Sequence, residues 1–148
     1  MIQFTPLAMT KKLVSYDTTS RDSNLDLIEF AAGYLKDLGV DATLIHNAEK
    51  TKANLFATIG PTDVPGVVLS GHTDVVPVDG QDWTTEPFEP VRSGGRLFGR
   101  GTSDMKSFIA TALALAPDMV AADLKMPIHF AFSYDEEVGC LGVHGIVS

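Results

Sequence analysis

Three stretches of this chain carry side chains able to hold a metal ion or move a proton. They are Ser70-Gly71-His72-Thr73-Asp74-Val75-Val76-Pro77, Gly99-Arg100-Gly101-Thr102-Ser103-Asp104-Met105-Lys106, and Asp135-Glu136-Glu137-Val138-Gly139-Cys140. On an extended backbone, residues two apart point to the same side, so His72 and Asp74 can address one spot. A histidine with a carboxylate partner suits metal binding, because the carboxylate fixes the ring tautomer and raises its basicity. Asp104 stands where a glycine-rich turn enters a helix, and Glu136-Glu137 follow an apolar run. One imidazole with several carboxylates suits zinc, cobalt or manganese. Two successive carboxylates at a strand end point different ways. One can bind metal while the other stays free as a proton acceptor.

Each stretch also has a plainer reading. His72 and Asp74 can be a loop histidine beside a turn aspartate, Asp104 a helix cap, and Asp135-Glu136-Glu137 a solvated strand end. Gly99-Arg100-Gly101 could cradle a phosphate, but no P-loop lysine–threonine pair follows it. Convergence favours the metal reading, since the three stretches are remote in sequence yet each lies where a strand or turn gives way to a loop. His46, His129 and His144 lack clustered partners and read as structural or surface groups, and Trp83 reads as a packing residue.

The elements that must position these groups follow from spacing. Thr5 to Val14 is expected to form a short helix with Pro6 in its first turn. Ser15 to Arg21 is polar and turn-like. Leu25, Ile28, Ala31, Ala32, Leu35 and Leu38 recur at helical spacing, with a Ser23–Asp26 capping-box start and Gly39 as the stop. Val40 to Ile45 and Asn54 to Ile59 alternate as strands. Val67-Val68-Leu69 reads as a short buried strand ending at His72. Asp79 to Pro90 is an irregular connection, followed by a Gly94-Gly95 turn and a strand over Arg96 to Phe98. A helix from about Lys106 should kink or end at Pro117, and Pro127 to Tyr134 should be a strand. Strand, helix, strand from Val67 to Tyr134 implies a crossover and at least one parallel pair.

The chain has 148 residues, 45% of them apolar and 20% charged, an ordinary globular composition. A net charge of −8 provides no basic patch for nucleic acid. The longest apolar run falls far short of a membrane span. Cys140 is the single cysteine, so no internal disulfide framework exists and a reducing cytoplasm fits.

Taken together and in this order, the three stretches resemble the M20 metallopeptidase and deacylase family. The similarity runs from about Leu69 to Gly142, and Tyr16-Asp17-Thr18-Thr19-Ser20-Arg21 is similar to the branch that deacetylates acetylornithine. The branch that desuccinylates succinyl-diaminopimelate is the nearest rival. The resemblance implies an α/β fold with a mixed, mostly parallel sheet flanked by helices. It implies two divalent ions, zinc or cobalt, with His72 on one, Glu137 on the other and Asp104 between them. Asp74 would orient the His72 ring and Glu136 would be the general base, and a cis peptide is implied after Asp104. The substrate would be a small N-acyl amino acid, and a homodimer is expected of a full-length protein. Ser107 departs from the glycine usual after the lysine. On this reading, residues 1–148 are the N-terminal portion of a catalytic domain, without a lid or dimerisation domain or C-terminal portion, and inactive or nearly so alone. The alternatives of another class are a non-catalytic metal-binding module and a structural domain with incidental acids.

Overall fold

The computed structural model describes residues 3–147. Its helices are α1 (Pro6–Val14), α2 (Leu25–Asp37), α3 (Lys106–Ala121) and α4 (His144–Val147). Its strands are β1 (Ala42–His46), β2 (Ala53–Ile59), β3 (Val67–His72), β4 (Val91–Ser93), β5 (Arg96–Phe98) and β6 (Ile128–Ser133). The four-stranded sheet has the order β1-β2-β6-β3, and β4 pairs with β5 around the Gly94-Gly95 turn.

The fold is α/β with a mixed sheet. Its parallel pair is β3–β6, joined by the α3 crossover as the strand–helix–strand run predicts. The β1–β2 and β2–β6 pairs are antiparallel. One sheet face buries Leu55, Ala57, Phe130 and Phe132 against Met9 and Leu13 of α1, Leu27 and Ile28 of α2, and Ile109 and Leu113 of α3. Residues of the other parity, Asn54 among them, face the opposite side, where Gly145 of α4 comes close to the Asn54 amide and Ile45. No helix among the described residues is long and apolar enough to cross a membrane.

The polar run Ser15 to Arg21 is turn-like as expected, and Thr18, Thr19 and Ser20 within it are all buried. Three local expectations need correction. β3 is not buried along its length, because it is an edge strand: Val67 and Val68 are exposed, and burial begins only at Gly71 and His72. Of the two outcomes expected at Pro117, a kink or an end, the end does not occur, and α3 continues to Ala121. Proline forfeits one backbone bond, while Ala116 and Met119 on either side of it still pack on the core. Finally, the Ser23–Asp26 capping box does not form.

Asn24 takes the N-cap position of α2 without making a capping bond. Its side chain is engaged elsewhere: Nδ2 donates to Ala53 O at 2.8 Å and to Thr73 Oγ1 at 2.9 Å, while Oδ1 accepts from Ala53 N at 3.0 Å. A buried amide that satisfies three groups in the sheet outweighs a cap at an exposed helix end. Removing it strands buried donors and acceptors. Asn24→Ala should therefore cost about 3 kcal/mol in urea unfolding, against about 0.5 kcal/mol or less for Ser23→Ala.

A candidate metal centre beyond strands β3 and β6

The parallel pair delivers the chemistry. Its ladder continues past His72, where Thr73 N donates to Ser133 O at 2.8 Å and Thr73 Oγ1 donates to the same oxygen at 2.9 Å. His72 and the Asp135-Glu136-Glu137 turn therefore emerge side by side at the carboxyl ends of the two strands, where open α/β sheets place ligands.

One ring face of the problem is fixed from below. His72 Nδ1 lies 2.9 Å from the Asp74 carbonyl oxygen and 3.5 Å from its carboxylate. Nε2 points the other way, 3.0 Å from Asp104 Oδ1 and 3.7 Å from Glu136 Oε2. One ligand atom from each of His72, Glu136 and Glu137 lies within 4.8 Å of the other two. Asp104 touches this trio through His72, with its carboxylate largely exposed. All five residues singled out from the sequence thus meet in one place.

Asp74 does more than face the ring. Its Oδ1 accepts from Glu136 N at 3.0 Å, and Oδ2 accepts from Glu137 N at 3.2 Å and from Ser20 Oγ at 2.6 Å. Burial pushes this carboxyl upward, but the bonds from His72, Ser20 and the two backbone amides prevail and hold its pKa at about 2. Burial pulls the His72 imidazole down, and the Asp74 and Asp104 oxygens reverse that, raising it to about 9.

The glycine-rich turn leading into α3 packs closely on its neighbours. Gly101 adopts φ +83°, and a Cβ there would sit 2.9 Å from Val75 Cγ1. Lys106 lies fully buried beneath it, with Nζ donating to Tyr16 O at 2.6 Å. Burial lowers this ammonium's pKa to about 7, against the pull of Asp17 and Asp74. The Asp104–Met105 peptide is cis.

The donor set fits a divalent cation. Burial raises the Glu137 carboxyl, and the neighbouring Asp104, Glu136 and Asp74 charges raise it further, with His72 opposing them. Crowded carboxylates beside one imidazole are what a cation relieves. A cavity of about 260 Å³ opens beside the cluster, lined by Gly71, His72, Met105, Ser133, Glu136 and Cys140. The sequence reading missed Ser20, Thr73 and Lys52, which support the cluster from beneath. Nothing in the polar run between α1 and α2 marks Ser20 as buried, and Thr73 and Lys52 find their partners in segments remote along the chain.

Similar proteins carry the same framework. Residues 68–148 match the sequence pattern of peptidase family M20/M25/M40. The chain is 36% identical over 137 residues to an acetylornithine deacetylase of Shigella sonnei, covering 92% of this chain and 36% of that protein. In fold it is similar to an M20 family metallo-carboxypeptidase of Sulfolobus solfataricus, with TM-score 0.83 and 20% identity over 97% of this chain and 34% of that one. It is likewise similar to human carnosine dipeptidase 1, with TM-score 0.79 and 24% identity over 96% of this chain and 34% of that one. The chain thus spans about a third of the length of these relatives.

The turn gives a direct test of the packing beneath Asp104. Gly101→Ala combines a left-handed backbone with a close contact to Val75, and should lower stability by roughly 2 kcal/mol in urea unfolding. Ser103→Ala, at an exposed position of the same turn, should change it by less than about 0.5 kcal/mol.

Proposed function

We propose, from the premise that this chain belongs to peptidase family M20/M25/M40, that its cluster serves the hydrolysis of the amide bond of N-acetylornithine. Members of the family are metal-dependent amide hydrolases. The observation that carries the reading is the meeting of His72, Glu136 and Glu137 within 4.8 Å, with Asp104 3.0 Å from the ring. The choice of substrate is supported by the relative that is 36% identical, an acetylornithine deacetylase.

In this reading, His72 would hold one divalent ion and Glu137 a second, with Asp104 shared between them. Such ions, zinc or cobalt, supply Lewis acidity that activates water and polarises the amide carbonyl. The remaining chemistry belongs to the chain. Asp74 holds the His72 ring and the backbone of the two glutamates. Glu136, beside the cavity, takes the proton of the attacking water. It returns that proton to the departing nitrogen, so ornithine leaves as an amine and not as an amide anion, and acetate is the other product. The cavity accommodates a small acyl group against Met105 and Cys140.

His72, Asp104 and Glu137 are fewer donors than two four-coordinate ions require. The 148-residue chain alone is therefore proposed to bind metal yet turn over slowly. A homodimer belongs to the proposal only for a protein of the relatives' length.

Two measurements separate binding from catalysis. In equilibrium dialysis against Zn²⁺ or Co²⁺, Glu137→Ala should weaken uptake about tenfold or more, whereas Glu136→Gln should keep its metal. Wild-type affinity in Glu137→Ala would remove Glu137 from the ligand set. The activity test grafts this chain in place of the matching segment of the Shigella sonnei enzyme. The soluble chimera should release ornithine from N-acetylornithine, and Glu136→Gln should cut kcat by about 10²–10⁴. Faster cleavage of succinyl-diaminopimelate or of a dipeptide would reassign the substrate.

A further inference from the structure

The two glutamates sit on a turn that has little sheet to hold it. Beyond Ser133 the chain leaves the β6 ladder, and Asp135 adopts φ +55°, a left-handed conformation uncommon outside glycine, asparagine and aspartate. Something must fix the turn if Glu136 and Glu137 are to point in useful directions. Its own backbone bonds, such as Cys140 N to Glu136 O at 3.0 Å and Leu141 N to Asp135 O at 3.0 Å, close the turn without orienting it toward His72.

Orientation comes from the buried segment between α1 and α2. Ser20 is buried and bonds in two directions. Its hydroxyl donates to Asp74 Oδ2 at 2.6 Å, and the same carboxylate accepts Glu136 N and Glu137 N. Its carbonyl oxygen accepts from Lys52 Nζ at 2.5 Å, and Lys52 Nζ also donates to Asp135 Oδ1 at 2.6 Å. These bonds close a ring: Ser20, Asp74, the Glu136-Glu137 backbone, Asp135, Lys52 and Ser20 again. Ser20 is further anchored by its own N–H, which donates to Val75 O at 3.1 Å.

We propose that Ser20 and Lys52 are positioning residues that set the aim of Glu136 and Glu137 by holding the turn at two points, through Asp74 and through Asp135. This deepens the metal-site reading above and rests on it. A carboxylate offers about four lone-pair directions; Asp74 accepts from Ser20 and the two amides and lies 3.5 Å from His72 Nδ1. Without the Ser20 hydroxyl, Oδ2 keeps only the Glu137 amide, and the carboxylate can turn toward His72. Without Lys52, the left-handed Asp135 loses its charged side-chain partner, which is 14% exposed. Neither residue touches the ion or the substrate, so each acts through the direction of other groups.

The test uses the purified 148-residue chain with Ser20→Ala, Lys52→Met and the conservative Lys52→Arg. Leu27→Ala, a buried α2 position away from the ring, is the stability-matched control. The readouts are Co²⁺ affinity by calorimetry and amide exchange of Glu136 and Glu137 by NMR in the metal-free chain. Ser20→Ala and Lys52→Met should each weaken Co²⁺ binding 10–100-fold and speed exchange at both amides beyond what the lost global stability explains. Lys52→Arg should recover most of the affinity, and Leu27→Ala should move neither readout beyond its stability change. If Ser20→Ala and Lys52→Met behave like Leu27→Ala, the positioning role is overturned. Should the wild-type chain bind no Co²⁺, the metal-site reading fails, and the exchange data alone then decide whether the ring positions the turn.

Discussion

A single buried carboxylate, that of Asp74, ties together the segments on which the site depends. An anion taken out of water is costly by several kcal/mol unless its partners compensate. Asp74 is 2% exposed and finds those partners in three segments: Ser20 before α2, His72 at the end of β3, and the amides of Glu136 and Glu137 after β6. None of these contacts is local except His72, so the carboxylate is satisfied only when the parallel pair, the α3 crossover and the strap between α1 and α2 are all in place. The core and the cluster therefore depend on the same contacts, which hold the His72 pKa above and the Asp74 pKa below their ordinary values.

The same logic explains why so much polar chemistry is tolerated at the top of an apolar core. Thr18 Oγ1 donates to Thr73 O, Asn24 serves both Ala53 and Thr73, and Thr73 Oγ1 reaches Ser133 O. Each group is buried and each has a partner, the condition under which a polar network adds definition at no net loss. Below it, Phe130, Phe132, Leu55 and Ile109 provide the apolar mass. Above it, Asp104, Glu136 and Glu137 stay accessible enough for an ion and a substrate to reach them.

Much of this was legible in the sequence where signals are local. The apolar spacing of α2 and the alternation of β2 appear at nearly their predicted bounds. So does the glycine turn that leads into α3 at Lys106. His72, Asp74, Asp104, Glu136 and Glu137 could be singled out because each lies where a strand or a glycine-rich turn gives way to the next element. What was not legible depends on the whole sheet. Val67 and Val68 look like core residues, and only their place on an edge strand exposes them. Thr18 to Ser20 look like surface residues, and only contacts more than fifty positions away bury them. Asn24, not Ser23, takes the N-cap position of α2, and its side chain serves the segments of Ala53 and Thr73. Pro117 is expected to kink or end its helix, and flanking core contacts carry the helix past it.

The central claim is that one imidazole, His72, and carboxylates from two other segments surround a common metal centre. X-ray absorption at the cobalt edge on the Co²⁺-loaded chain tests it most directly. The account predicts a first shell of oxygen donors with the multiple-scattering signature of a single imidazole, and loss of that signature in His72→Ala. An all-oxygen shell in the wild-type chain, or an imidazole signature that survives His72→Ala, would contradict it.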